Sequence, residues 1–453
     1  MSTELTATLW QTTRKIFSLA LPMAGTQFIS IAGGFLSMTM LAQLGHQVLA
    51  ASGLIFSTQV TIVVIGMSIL MTLSIFIGRA FGAGQFKLIG NYLQQGWTLA
   101  LVISIPIIIL FWHISSFLLF FGQSVAIVQI VQSFFHAYVW GIVPLMFLAC
   151  NQQLCYGTHK QNLVTVSSLL SVLVFLFFAY ALIFGKFHMP RLEVAGLGYA
   201  MVIQMWFAFI FTTVCFYTDS HFKDFDLFHY RAHKDWGSIK QMFKIGWPIS
   251  LQMSGEVSSF FVVSAMAGWL GINQLAAFQV IAQYIVLIIV PIFAISQASG
   301  ILIGQACGAK QFHEIKRLGN ICIGIGLVLS AISSILFIAC PRLLASLYMD
   351  VHNPANAQTL HFVVILFAVF AVSQIFDTVR NVGTGALRGL YDTKFPMYTG
   401  LAGIWLIGIP LGYLFAFTFH WNIGGIAVGS LIGMIIGSAA VLYRWRKMLG
   451  ARS

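Results

Sequence analysis

Apolar residues in this chain run in continuous stretches of twenty or more, and polar residues gather in short clusters between them. A helix needs roughly 20 apolar residues to cross the hydrocarbon of a bilayer. The pattern predicts twelve such helices, at about 16–42, 48–77, 90–112, 127–150, 161–184, 194–217, 245–268, 275–303, 317–340, 358–382, 396–418 and 422–443. Strands of a membrane barrel would alternate apolar and polar positions, so a β-barrel is excluded. The most polar stretch, Asp219–Lys244, divides the predicted helices six and six. The chain therefore reads as an N-terminal lobe over 1–218, a solvated cytoplasmic linker with a short interfacial helix over 219–244, and a C-terminal lobe over 245–453.

The two lobes repeat. Pro22 matches Pro248, Leu44-Gly45 matches Leu270-Gly271, and Leu49-Ala50-Ala51 matches Leu275-Ala276-Ala277, all at an offset of 226 residues. The run from Ile77-Gly78 to Gln85-Phe86 matches Ile303-Gly304 to Gln311-Phe312 at the same offset. A constant offset over sixty-odd positions marks an internal repeat. Later spans repeat more loosely, with Ala195-Gly196 set against Gly424-Gly425. Six spans per lobe give both lobes one orientation, so this is a parallel repeat, and parallel-repeat transporters hold substrate in a cavity between the halves. The expected fold is an all-α membrane protein, twelve transmembrane helices in two six-helix bundles around a central cavity. Pro22 and Pro248 sit at matching places in the first and seventh spans, where each removes a helical hydrogen bond and permits a hinge.

Composition agrees with burial in lipid: of 453 residues, 59% are hydrophobic and 8% charged, where soluble proteins carry about 25% charged residues. The net charge of +12 is no nucleic-acid footprint, because the bases sit at helix ends and in loops. Nineteen of the 23 Lys and Arg fall on one side, three (Lys186, Arg191, Arg342) on the other, and Arg380 lies within a span. That bias predicts a multi-pass protein with both termini in the cytoplasm. The first apolar run is too long for a signal-peptide core, so no cleavage is expected. Six cysteines form no Cys-x-x-Cys or Cys/His cluster and read as apolar fillers. His221, His229 and His233 in the linker read as surface histidines rather than a metal site. No phosphate-binding Gly-Lys-Ser/Thr loop and no nucleophile–His–acid pattern occurs, so no enzyme activity, cofactor or nucleic-acid partner is expected. Most tryptophans, among them Trp10, Trp97, Trp112, Trp140, Trp236, Trp247 and Trp445, read as interfacial anchors.

The candidate chemistry lies in two acids. Glu256 is the only Asp, Glu, Lys or Arg between Ile245 and Ala309, and its repeat counterpart is Ser30. Asp377 lies in the tenth span, with Arg380 on the same helical face three residues later. Ionisable groups at membrane depth are costly and mark ion or substrate paths. Oxygen donors near the two acids, Ser254, Ser258, Gln279 and Asn381, complete a set able to hold H⁺ or Na⁺. No metal site is expected beyond Na⁺ at Glu256 and Asp377.

Taken with Pro22, Leu44-Gly45, Gly78-x-Ala80-x-Gly82-Ala83 and Gly304-Gln305-Ala306-x-Gly308-Ala309, the run from Asp377 through Gly385-Ala386-Leu387-Arg388-Gly389 to Asp392-Thr393 resembles the multidrug and toxic compound extrusion (MATE) transporters, in particular their bacterial NorM-like branch. The resemblance implies two six-helix lobes and efflux of organic cations in exchange for Na⁺ or H⁺. It further implies a cation site at Glu256 and Asp377, a bacterial inner membrane and, as partners, only a small-molecule organic cation and membrane lipid, with the protein acting as a monomer. Two departures stand out. Ser37 occupies the place where the family often has an acid in its first span, which moves coupling to the C-terminal lobe. Arg380 stands where a neutral polar residue is more usual, and either holds Asp377 ionised or competes with a cation for it. Two rival readings are a lipid or lipid-linked oligosaccharide flippase, disfavoured because only Arg380 lies within a span, and a channel, disfavoured by the two-lobed repeat.

Overall fold

A computed structural model describes residues 2–228 and 236–450, so His229 and His233, with Arg231, Lys234 and Arg452, lie outside the described residues. The described residues form twelve long helices: α1 (Ser2–Ala42), α2 (His46–Gly82), α3 (Phe86–Trp112), α4 (Val125–Gly157), α5 (Gln161–Phe184), α6 (Glu193–Thr218), α7 (Trp236–Leu270), α8 (Ile272–Gly308), α9 (Phe312–Ala339), α10 (Ala357–Gly389), α11 (Lys394–Thr418) and α12 (Asn422–Gly450). All of these except α7 are long and apolar enough to cross a membrane. Helix α7 has the length, 35 residues, and is made less apolar by Gln252, Ser254, Glu256, Ser258 and Ser259. It completes the twelve.

The sequence repeat is a backbone repeat. Gly45 and Gly271 precede α2 and α8 with φ +116° and +132° and the same ψ of 169°, a conformation that L side chains rarely adopt. Gln85 and Gln311 precede α3 and α9 with φ −89° and −91°. Gly84 and its counterpart Lys310 both turn left-handed, at φ +68° and +58°. Helix pairing repeats as well: α4 packs on α2, α3 and α6, and α10 packs on α8, α9 and α12. The looser match at Gly196 and Gly425 has one cause. A Cβ on Gly196 would stand 2.7 Å from the Leu182 carbonyl of α5, and one on Gly425 would stand 2.5 Å from the Ala416 nitrogen of α11.

Two compact units emerge, Pro22–Ser250 and Met1–Leu21 with Leu251–Ser453. Helices α1 and α7 are divided between them beside the matched prolines. In the first unit, Ser250 donates to the Ile65 carbonyl at 2.8 Å, so the beginning of α7 packs on α2. In the second, Arg317 of α9 donates to Thr12 at 2.5 Å, fixing the beginning of α1. The Pro22 carbonyl accepts hydroxyls from Thr26 (2.9 Å) and Thr165 (3.3 Å), local bonds that support helix backbone around a proline.

The first part of the linker is not solvated throughout. Lys223 and Asp224 are exposed, but Phe222, Phe225 and Leu227 are buried, and Gly90 on α3 brings its backbone up to the Phe225 carbonyl. His221 lies against the rings of Phe81, Phe222 and Phe225 and bonds to the Thr158 carbonyl at 3.1 Å. Aromatic residues in an otherwise charged stretch thus dock it onto α3. Asp219, just past α6, receives Lys160 at 2.6 Å and the His221 amide at 3.0 Å, which hold its carboxyl below the usual range. Two tryptophans depart from an anchoring role. Trp445 is buried over Gly319, and Trp97 donates to Asn151 inside the bundle at 3.1 Å.

Candidate functional site

Close backbone approach sets the site in the second unit. On α10, Gly385 and Gly389 are four residues apart and press on α8: a Cβ at Gly385 would stand 2.1 Å from the Ser296 carbonyl, and one at Gly389 2.6 Å from the Gly300 carbonyl. Ser296 adds a hydrogen bond to the Asn381 carbonyl at 2.6 Å. Small residues four apart allow membrane helices to meet in this way. Helix α11 runs with a π-helical stretch over Ala402–Gly408, a feature frequent at functional sites. There Trp405 donates to the Gly255 carbonyl at 3.1 Å, pinning α7 one residue before Glu256. The bare Gly255 lets Leu401 approach the same turn.

Glu256 and Asp377 face each other across Arg380. One guanidinium nitrogen of Arg380, Nη1, lies 2.6 Å from Glu256 Oε1, while Nη2 and Nε lie 2.8 Å and 3.2 Å from Asp377 Oδ1. Asn381 Nδ2 donates to Asp377 Oδ2 at 2.9 Å. Gln252 Nε2 donates to Glu256 Oε1 at 3.1 Å, and Arg388 Nη2 donates to Gln252 Oε1 at 3.0 Å. Arg380 and Arg388 are 5% and 7% exposed, and the side chains of Glu256 and Asp377 are 19% and 17% exposed. Two more glycines border Arg380: a Cβ at Gly400 would stand 3.4 Å from its Nη1, and one at Gly437 3.2 Å from its Cδ.

Glu256, Asp377 and Arg380 of the cluster line a cavity of about 210 Å³. Its walls are apolar, among them Phe260, Phe278, Ile285, Ile292, Leu366 and Phe370, and its polar lining comprises Glu256, Asp377, Arg380, Ser259, Ser373, Gln374 and Ser430. By formal charge the lining carries two acids against one base, and Arg388, bonded behind it to Gln252, brings the cluster to two against two. The acids do not make an open oxygen cage. Three of their four oxygens already accept N–H donors, a donor set that does not fit a Na⁺ lodged between them.

The structure brings Glu256, Asp377, Arg380 and Asn381 together. Ser254 is part-buried with a hydroxyl that makes no hydrogen bond among the described residues. Ser258 does not line the cavity, and its neighbour Ser259 does. Gln279 is exposed on α8 and bonds to Ser264 at 3.5 Å, away from the acids. Pro22 and Pro248 lie outside the cavity wall. Ser37 is fully buried and bonds only to the Gly33 carbonyl of its own helix, at 2.7 Å. Sequence reasoning missed Gln252, Gln374 and Arg388. The signal for Gln252 and Arg388 was present, a Gln one turn before Glu256 and an Arg two turns after Arg380. Gln374 stands one turn before Asp377 alone, and only packing turns it to the cavity.

The MatE family profile matches residues 22–181 and 248–414, one block in each half of the repeat. A probable multidrug resistance protein NorM of Synechocystis is 27% identical over 436 residues, covering 96% of this chain and 95% of its own. A protein of the same description from Burkholderia pseudomallei is 29% identical, covering 94% and 91%. The crystal structure of the Vibrio cholerae MATE transporter VcmN in its bent form superposes with a TM-score of 0.85 at 16% identity, covering 98% of this chain and 99% of that one, a likeness of fold. Repeat, helix order and profile match agree, and the chain belongs to the MatE family of membrane transporters.

Proposed function

We propose that the protein is a secondary antiporter that exports amphipathic organic cations, drugs among them, by alternating access in exchange for Na⁺ or H⁺. The observation that carries this reading is the largely apolar cavity lined by both Glu256 and Asp377. Two acids at membrane depth are expensive to keep and by default mark an ion or substrate path. The names of the relatives, probable multidrug resistance proteins, support the drug-efflux part. The bacterial relatives support a bacterial inner membrane, the Lys/Arg asymmetry supports both termini in the cytoplasm, and a monomer suffices because the polar set belongs to one unit of one chain. Arg388 does not line the cavity, so it offers no second base to a phosphate headgroup, which weighs against a flippase.

The test is transport in proteoliposomes under imposed Na⁺ and H⁺ gradients. Glu256→Gln and Asp377→Asn are each expected to abolish gradient-driven efflux of a lipophilic cation while inserting and eluting as the parent does. Full efflux by both variants removes this function from the site.

A further inference from the structure

Resting on the antiporter reading, the geometry points to Arg380 as a tethered cation: its guanidinium holds the seat between Glu256 and Asp377 that a free Na⁺ would need, and the substrate's positive group enters by displacing it from Glu256. Arg380 therefore determines which cations the site accepts.

Occupancy of the carboxylate oxygens comes first. Glu256 Oε1 takes Arg380 Nη1 and Gln252 Nε2, Asp377 Oδ1 takes two Arg380 nitrogens, and Asp377 Oδ2 takes Asn381. Among the described residues, only Glu256 Oε2 accepts no hydrogen bond. A hard inorganic cation gathers several oxygens around itself, and of the four carboxylate oxygens here it finds one free of N–H donors. An organic ammonium or phosphonium group needs no such cage; it needs an apolar wall and one carboxylate, and Glu256 supplies the carboxylate in the cavity lining.

Charge balance alone does not choose between cations. Glu256 and Asp377 are countered by Arg380 and Arg388, and α8, α11 and α12 bring no ionisable group to the cavity lining. The fixed charges cancel. Any cation added to this set, Na⁺ or organic, brings one charge beyond that balance, so the count of free carboxylate oxygens, and not the charge count, separates the two. A substrate cation that takes over Glu256 leaves Arg380 with its two bonds to Asp377, so the guanidinium keeps a partner as it yields.

The experiment is equilibrium binding of tetraphenylphosphonium to the purified full chain, in NaCl and in KCl of equal ionic strength, with ²²Na⁺ binding measured alongside. Wild type is expected to bind the probe equally in both salts and to bind no saturable Na⁺. Arg380→Gln is expected to bind the probe at least tenfold more tightly, to lose that gain in NaCl, and to bind Na⁺ in a way that adding Glu256→Gln removes. Arg380→Lys, which keeps the charge without the two-pronged grip, is expected to fall between. Saturable Na⁺ binding by wild type that Glu256→Gln removes overturns the proposal, and so does an Arg380→Gln protein with unchanged probe affinity and no Na⁺ binding. Should Arg380→Gln not fold, the wild-type Na⁺ measurement still decides. If wild type binds no lipophilic cation, the antiporter reading fails, and ²²Na⁺ binding separately decides the role of Arg380.

Discussion

At the scale of residues, the site is a chain of hydrogen bonds with a charge at each end. Arg388 reaches Glu256 only through Gln252, and its Nε makes no hydrogen bond among the described residues. A buried guanidinium with so few partners depends heavily on the one it has. Gln252→Leu strips that partner and is expected to destabilise the protein by about 2–4 kcal/mol, mostly from the orphaned charge. Adding Arg388→Leu should return part of the loss, so the double variant melts above the sum of the single effects. Strict additivity in thermal melting would mean the two side chains do not act as a pair. Such coupling is hard to see in sequence. The acids were legible because a lone Glu in a long apolar run is conspicuous, and Arg380 because it lies one turn from Asp377. Gln252 and Arg388 come from different helices and meet only after α7 and α10 pack, and a glutamine in a membrane helix carries little signal by itself.

At the scale of elements, glycines decide which helices meet. The Gly385–Gly389 pair sets α10 against α8 at backbone distance, and Gly403, Gly408, Gly412, Gly429 and Gly433 do the same for α11 and α12. Gly385→Ala drives a methyl into the Ser296 carbonyl and hydroxyl, and the carbonyl is helix backbone that cannot swing aside. A cost of about 1–3 kcal/mol is expected from overpacking, with loss of transport as Asn381 and Asp377 shift. A melting temperature and transport rate equal to wild type would show that α8 and α10 have slack. The run around Gly385 was legible as a family signature, and its physical content is this contact. The π-helical stretch of α11 was not legible, because it arises where Gly403 settles on the Gly433 carbonyl of α12 and Trp405 turns to α7. The boundaries of α1 and α7 between the two units also escaped the sequence reading, since both are uninterrupted helices and only their packing changes partner beside Pro22 and Pro248.

At the scale of the whole molecule, one scaffold appears twice and the chemistry once. The turns at Gly45 and Gly271, and at Gly84 and Lys310, show how faithfully the backbone repeats. Against that symmetry, Glu256 stands where the first half has Ser30, and Ser37 is a satisfied helical hydroxyl. The twelve helices could be read from apolar runs because lipid enforces them, and the repeat from one constant offset in the sequence itself. What holds the acids could not be read, because it depends on contacts between helices far apart in the chain. The account rests on Glu256 being where a substrate's positive charge sits. The most direct measurement is the dissociation constant of tetraphenylphosphonium for the wild type and for Glu256→Gln, in the same detergent and salt. The account predicts binding weaker by at least about tenfold in the variant, or roughly 1.4 kcal/mol, with the fold intact by melting. Equal affinity in the two proteins would contradict it.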